Sequence, residues 1–216
     1  MHIAIPFATD TIRNSFGKPE ATWGRDVANH GFLIGLAEAG AGHRITLFVP
    51  SQLDIEILNR TLLAENQANI TAVAGSGIAA YLAEHPIDVL HVTDPNMWLG
   101  GHIRNQLSER DFVITGVTHS LGNQHFLDWT LQNNANGIEP GDCLICTTPT
   151  AQTVIESMFA HLRANQPEFS TPRTEVIPLG TNLAMFRAPT PMTRAALGLP
   201  SDHFVLLSFA RFNPTF

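Results

Sequence analysis

Apolar residues along this chain occur in two alternating patterns. Short, nearly continuous apolar runs are typical of buried strands, and they are HIAIPF, HRITLFV, NITAVA, DVLHVTD, FVITGVT, DCLICTT and TEVIPL. Segments with apolar residues at helical spacing lie between them, and they are RDVANHGFLIGLAEAG, LDIEILNRTLLAEN, GIAAYLAEH, MWLGGHIRNQL, QHFLDWTLQNNA and AQTVIESMFAHLRA. We expect Gly100 and Gly101 to weaken the helix that contains them.

The regular alternation of strands and helices predicts an α/β fold. We expect a doubly wound, mainly parallel, Rossmann-like sheet with helices on both faces. Such sheets bind ligands beyond the carboxyl ends of their strands. The segments that follow four of the predicted strands should therefore meet at one rim, and they are residues 7–10, 93–95, 118–122 and 147–150.

The composition changes after Leu179, where the chain becomes rich in proline and threonine. We therefore predict a domain over residues 1–180 and a linker over 181–203, with one short helical piece, TRAALG. A new strand is predicted over residues 204–216. That strand could join the same sheet, or it could begin a second domain that is cut short.

Composition limits the classes of function. The chain has 216 residues and a net charge of −7, and its 12 Lys and Arg residues are scattered, so we expect no nucleic-acid partner. We find no apolar run long enough to span a bilayer and no signal-peptide pattern in the first residues. These features predict a cytoplasmic protein.

Cys143 and Cys146 have the C-x-x-C spacing of some metal and redox sites. Leu and Ile separate them inside a predicted strand, so their side chains should point to opposite faces of the sheet. A metal site needs a turn between the two thiolates and a second pair of ligands. We therefore interpret both cysteines as core residues, which also suits a reducing compartment.

The stretch GSGIAA matches the dinucleotide-binding pattern G-x-G-x-x-A, with glycines at Gly75 and Gly77. It follows a predicted strand and opens a helix, and Asp94 ends the next strand, where an acid could bind a ribose. The pattern falls on the third strand instead of the first, and Pro86 ends the helix early. A nucleotide-cofactor oxidoreductase therefore remains an alternative.

His119 directly follows the fifth predicted strand, at the expected rim. A neutral imidazole in that place can donate a hydrogen bond to a ligand or accept one, although a turn residue without a function is equally compatible. His125 follows six residues later. The spacing of His119, His125 and Asp94 is not diagnostic of a metal site, and we predict none. His91 lies within a strand, where we expect it to be packed.

The segment between the first strand and the first helix, residues 8–23, is too long for a plain turn. Loops of this kind often close over ligands. The helix that follows begins near Gly24, and its free N–H groups could bind a phosphate or a carboxylate.

Three stretches together resemble the retaining glycosyltransferases of the GT-B fold, family 4, in its sucrose-phosphate-synthase-like group. The first is LAEAGAGHRITLFVP, and the second is THSLG, which contains His119. The third is EVIPLGTNLAMFRA, followed by LGLPSDHFVLLSFARF.

This resemblance implies that the chain is the N-terminal, acceptor-binding half of a GT-B fold with the start of a donor-binding domain. The implied enzyme is a hexosyltransferase that moves a sugar from a nucleotide-diphosphate sugar to an acceptor, without a cofactor or a metal. His119 falls on the family's active-site histidine, and Arg211 falls on the arginine that holds the donor diphosphate. The other candidate substrate contacts are Gly24, Asp94, Ser120, Gly122 and His125.

Some features depart from the family pattern. The chain ends at Phe216, before the lysine that follows the family's arginine, so we expect little transferase activity without the missing C-terminal domain. The long segment after the first strand replaces a tight Gly-Gly turn, whose place Gly17 or Gly24 could take. His125 stands where related sequences often carry lysine. A non-catalytic module that binds a sugar or a nucleotide therefore also remains an alternative.

Overall fold

The structure, a computed structural model, describes residues 1–8, 24–39, 42–60, 69–119, 121, 126–180 and 193–206, and for residues 24–27, 30 and 37 it describes the backbone alone. The strands are β1 His2–Pro6, β2 Arg44–Val49, β3 Ile70–Ala74, β4 Val89–Val92, β5 Val113–Val117, β6 Cys143–Cys146 and β7 Arg173–Val176. The helices are α1 Gly24–Ala39, α2 Gln52–Arg60, α3 Ile78–Glu84, α4 Trp98–Leu107, α5 Phe126–Ala135 and α6 Pro149–Asn165, and a 3₁₀ turn covers Gly75–Gly77.

All of these strands join one parallel sheet in the order β3-β2-β1-β4-β5-β6-β7. The predicted fold class is therefore confirmed: the sheet is parallel, and helices alternate with its strands. The chain runs outward from β1 to β3 and then returns to place β4 on the other side of β1, with Ile3 opposite Val89. The boundary between β1 and β4 is the switch point at which such sheets bind ligands.

A separate apolar core lies on each side of the sheet. One side packs α1 and α2 against β1, β2 and β3 through residues such as Leu33, Ile45 and Leu58. The other side packs α3 to α6 against the sheet through residues such as Leu90 and Ile155. Central strands such as β1 and β2 are covered on both faces and are buried along almost their whole length, which is why their apolar runs in the sequence are nearly continuous.

Gly100 and Gly101 let α4 approach its neighbours closely. A Cβ atom added at Gly100 would lie 2.8 Å from a methyl group of Ile114, and one added at Gly101 would lie 2.2 Å from the backbone oxygen of Asn136. The expectation that the two glycines lower the helix propensity of this segment stays a prediction. Close packing against the sheet and against the end of α5 requires the two glycines.

The chain divides into two compact units, residues 1–180 and 181–216. In the described part of the second unit, residues 193–206, the predicted helical piece TRAALG forms a series of turns that ends at Gly198, which has a φ of 66°. Residues 204–206 lie outside any strand, and the rest of the predicted final strand lies outside the described residues. The linker and the second domain therefore stay predictions.

Candidate functional site

The carboxyl ends of β4, β5 and β6 are joined at one rim by hydrogen bonds. The N–H of Val117 donates to the backbone oxygen of Asp94 at 3.4 Å, and the N–H of Thr118 donates to that of Ile145 at 2.9 Å. The side-chain oxygen of Thr118 in turn accepts from the N–H of Thr147 at 3.1 Å. The predicted convergence of the segments after these three strands is therefore confirmed.

His119 lies two residues beyond the end of β5, on this rim, and its side chain is partly buried. Its Nε2 atom lies 3.1 Å from the backbone oxygen of Thr93, the residue that follows β4. The hydroxyl of Thr93 accepts a hydrogen bond from Nδ2 of Asn29, on α1, at 3.2 Å. The imidazole is therefore linked to the strand that borders the switch point, and through Thr93 to α1.

His91 lies on β4 beside His119 and is 6% exposed. Its Nδ1 atom is 2.8 Å from the hydroxyl of Thr115, and the ring of Phe32 packs on it with ring centroids 4.8 Å apart. Burial lowers the pKa of His91 to about 4, with a smaller contribution from the nearby imidazole of His119. The expectation of a packed residue is confirmed, and the ring is neutral at neutral pH.

The carboxylate of Asp94 contributes to the turn that follows β4. One of its oxygens accepts the N–H of Asn96 at 2.9 Å, and the backbone oxygen of Asp94 is the acceptor for Val117. A Cβ atom at Gly116 would lie 2.9 Å from that backbone oxygen and 2.6 Å from the side chain of Met97. Asp94 therefore lies at the rim as predicted, and its side chain shapes the rim locally.

The other predicted site residues are described only in part. Gly24 is the first residue of α1, so the expected helix N-terminus is present. The N-terminus of α6, on the same rim, is already capped, because the hydroxyl of Thr148 accepts the N–H of Ala151. Four predicted contacts lie outside the described residues, and they are Ser120, Gly122, His125 and Arg211.

The structure contradicts the dinucleotide-binding alternative. Gly75 and Gly77 follow β3, at the edge of the sheet, whereas Asp94 follows β4, and β2 and β1 lie between these two strands. An added Cβ atom at Gly75 would meet its nearest neighbour at 3.4 Å, and one at Gly77 at 3.5 Å, which are ordinary contacts. The glycines and the acid therefore cannot hold one dinucleotide in the usual way.

Cys143 and Cys146 are both buried and lie on β6, as predicted. Cys146 packs in the core beneath α3 to α6, so the alternation along the strand places Cys143 on the other face. Burial raises the pKa of Cys143, and it raises that of Cys146 to about 11. Neither thiol is suited to act as a thiolate ligand or nucleophile at neutral pH.

A series of buried hydrogen bonds near the amino-terminal edge of the sheet includes His2, which the sequence did not single out. Its Nδ1 atom lies 3.0 Å from the backbone oxygen of Pro86, and its Nε2 atom lies 2.8 Å from the hydroxyl of Thr46. That hydroxyl is 2.9 Å from the hydroxyl of Tyr81. Since a carbonyl only accepts, Nδ1 carries the proton and Nε2 accepts from Thr46 when the ring is neutral. These contacts give both ring nitrogens of a buried histidine a hydrogen-bond partner and so stabilise the fold.

A cavity of about 410 Å³ also lies at the amino-terminal edge, away from the rim that carries His119. Its lining includes Asp88, Asp111, Glu139 and the ion pair of Arg104 and Asp142.

Among the described residues, no group of three His, Cys, Asp or Glu side chains could hold a metal ion. In the same part of the chain, no helix has the length and apolar character needed to cross a membrane.

No protein-family model matches the chain. No curated protein matches it. The chain is similar to a solved structure of sucrose-phosphate synthase from Thermosynechococcus elongatus, with 18% sequence identity, a TM-score of 0.40, and coverage of 86% of this chain and 93% of that one. A likeness of this size assigns neither a family nor an activity.

Proposed function

We propose that this chain is the acceptor-binding domain of a retaining glycosyltransferase, an enzyme that moves a sugar from a nucleotide-diphosphate sugar to an acceptor. The observation that carries the proposal is the position of His119. Its ring lies beyond the carboxyl end of β5, and its Nε2 atom is hydrogen-bonded to the backbone oxygen of Thr93, the residue that follows β4. Its Nδ1 atom has no hydrogen-bond partner among the described residues and can accept a bond from a ligand hydroxyl. The three sequence stretches that resemble family 4 support the same function.

The reaction needs little covalent chemistry from the protein. Glycosyl transfer passes through a centre that resembles an oxocarbenium ion while the diphosphate leaves. His119 would hold a sugar hydroxyl near that centre and would not act as a nucleophile. If an oxygen of the leaving phosphate accepts the proton of the acceptor hydroxyl, no pair of protein carboxylates is required.

Negative charge grows on the leaving diphosphate during the reaction, so cations and helix N-terminal N–H groups stabilise the transition state. We propose that Arg211 and the N-terminus of α1 at Gly24 supply these groups. The remaining proposed substrate contacts are Asp94, Ser120, Gly122 and His125.

The test is an assay of nucleoside diphosphate release by the whole protein that contains this chain, with a panel of nucleotide sugars and mixed sugar acceptors. Replacing His119 by alanine should lower kcat by roughly 30- to 1000-fold, because one well-placed contact to a reacting centre contributes about 2–4 kcal/mol. The control is His161→Ala, since His161 is exposed on α6. This variant should keep the activity of the wild type.

Binding measurements separate the proposal from the alternatives. Calorimetry with a sugar nucleotide and with NAD(P) should give heat for the sugar nucleotide alone. Tight NAD(P) binding that His119→Ala leaves intact would overturn the proposal in favour of an oxidoreductase. Binding of a sugar nucleotide without any release of diphosphate by the whole protein would instead identify a non-catalytic binding module.

A further inference from the structure

Thr93 is held by two different elements of the fold. Its hydroxyl accepts a hydrogen bond from Nδ2 of Asn29 on α1 at 3.2 Å. Its backbone oxygen lies 3.1 Å from Nε2 of His119, beyond the end of β5. The contact with Asn29 ties the residue after β4 to α1 and so restricts the direction in which the carbonyl of Thr93 points. This carbonyl is the only hydrogen-bond partner of the His119 ring among the described residues.

The contact with Thr93 determines which ring nitrogen of His119 carries the proton. A backbone carbonyl accepts hydrogen bonds and cannot donate them, so Nε2 must be the N–H donor. In the neutral imidazole, Nδ1 then has a lone pair and is an acceptor. A ligand group that meets Nδ1 must therefore be a donor, such as a hydroxyl. An anionic phosphate oxygen would face a lone pair and be disfavoured.

The neighbouring imidazole of His91 does not oppose this arrangement. His91 is buried beside His119, and burial together with the nearby imidazole keeps its pKa at about 4. Its Nδ1 atom is occupied by the hydroxyl of Thr115 at 2.8 Å. His91 is therefore neutral at neutral pH and contributes no charge that would favour the other tautomer of His119.

We propose that Asn29 and Thr93 are positioning residues that hold His119 in its Nε2–H tautomer, so that Nδ1 accepts a hydrogen bond from a hydroxyl of the ligand. The two residues act through His119 and need not touch the ligand. The claim that the ligand is a sugar rests on the proposed glycosyl transfer. The claim about the tautomer of His119 rests on the contacts of Thr93 alone, so the two claims can be tested separately.

The test is ¹⁵N NMR of the histidine rings in the 216-residue chain at about pH 8, where imidazoles are ordinarily neutral. A protonated and an unprotonated ring nitrogen have widely separated shifts. We expect Nε2 of His119 to be the protonated nitrogen in the wild type. In Asn29→Ala and Thr93→Val the two signals of His119 should move toward each other, because both tautomers become populated. Thr93→Ser keeps the hydroxyl that Asn29 bonds and should therefore show the ring shifts of the wild type.

A matched control separates this effect from a general loss of packing. Asn134 on α5 donates through Nδ2 to the backbone oxygen of Ser170 at 3.0 Å, so Asn134→Ala also removes one asparagine hydrogen bond. It should leave the ring shifts of His119 unchanged. A protonated Nδ1 in the wild type, or unchanged shifts in both Asn29→Ala and Thr93→Val, would overturn the proposal.

An activity measurement then distinguishes this inference from the proposed function. In the whole protein, Asn29→Ala should lower kcat/KM by roughly five- to tenfold, about the effect of one hydrogen bond, and Thr93→Ser should keep it. If the shifts behave as expected but no sugar is transferred, the proposed function fails and the positioning of His119 stands. If sugar is transferred and the shifts of both variants match the wild type, the positioning fails alone.

Discussion

Arg104 and Asp142 form a bidentate ion pair, in which Nη1 and Nη2 of Arg104 lie 2.8 and 3.0 Å from the two carboxylate oxygens of Asp142. The side chains are 9% and 2% exposed. The same carboxylate accepts the N–H groups of Ile114 and Glu139. The pair therefore joins the last turn of α4 to the beginning of β5 and to the segment before β6.

We predict that Asp142→Ala lowers the free energy of unfolding by about 3–5 kcal/mol, because it leaves the buried guanidinium of Arg104 without its counter-charge. The two remaining acceptors of that group, the backbone oxygens of Phe112 and Gly137, do not neutralise it. Urea unfolding monitored by circular dichroism measures the change.

The matched control is the exposed pair of Arg173 and Glu175, in which both side chains are 56% exposed. Arg173→Ala should change stability by less than about 1 kcal/mol, because water screens this pair. An equal loss in Asp142→Ala and Arg173→Ala would contradict the importance of burial for the first pair.

Two glycine-to-alanine substitutions should change the stability of the protein in opposite directions. Gly101→Ala places a Cβ atom 2.2 Å from the backbone oxygen of Asn136, so α4 must shift, at a cost of about 1–3 kcal/mol or more. Gly35→Ala on α1 meets no atom within 4 Å and should stabilise the protein by up to about 1 kcal/mol, the difference in helix propensity. Thermal unfolding of both variants checks this, and a stabilised Gly101→Ala would contradict the described packing.

The apolar pattern was sufficient to predict the sheet, because strands covered on both faces have few polar positions. β2 shows why: Ile45 to Val49 are all buried. Helix propensity could not predict the packing role of Gly101, because the atom that requires glycine there belongs to a residue 35 positions away in the sequence. The bond between Asn29 and Thr93 spans 64 residues and depends on where α1 lies against β4. No local pattern reports such a contact, so the sequence located His119 but not the residues that hold it.

The two cysteines should react slowly with thiol reagents in the folded protein. Cys143 and Cys146 are 3% and 0% exposed, and burial raises the pKa of both thiols, so little thiolate is present at neutral pH. Absorbance after addition of a disulfide reagent at about pH 7.5 should show slow reaction without urea and rapid reaction of both thiols in urea. Rapid reaction of the native protein would contradict the burial of β6.

Protonation of His91 should destabilise the fold in mild acid. The pKa of His91 is about 4 in the folded protein and 6.5 in an unfolded chain, so between these values the unfolded state binds more protons. Stability from this group is therefore complete above pH 6.5 and is lost as the pH falls toward 4, by about 3 kcal/mol in total. The lowered pKa of His2, also caused mainly by burial, acts in the same direction below pH 6.5.

The measurement is urea unfolding at several pH values between 7.5 and 4 for the wild type and for His91→Gln, whose amide does not titrate. Carboxylates and His2 titrate in both proteins, so the difference between the two curves isolates His91. The wild type should lose more stability than the variant on acidification, and most of the extra loss should fall between pH 6.5 and 4. Parallel curves would mean that the imidazole of His91 is solvated and free to accept a proton, which contradicts its packing against Phe32 and Thr115.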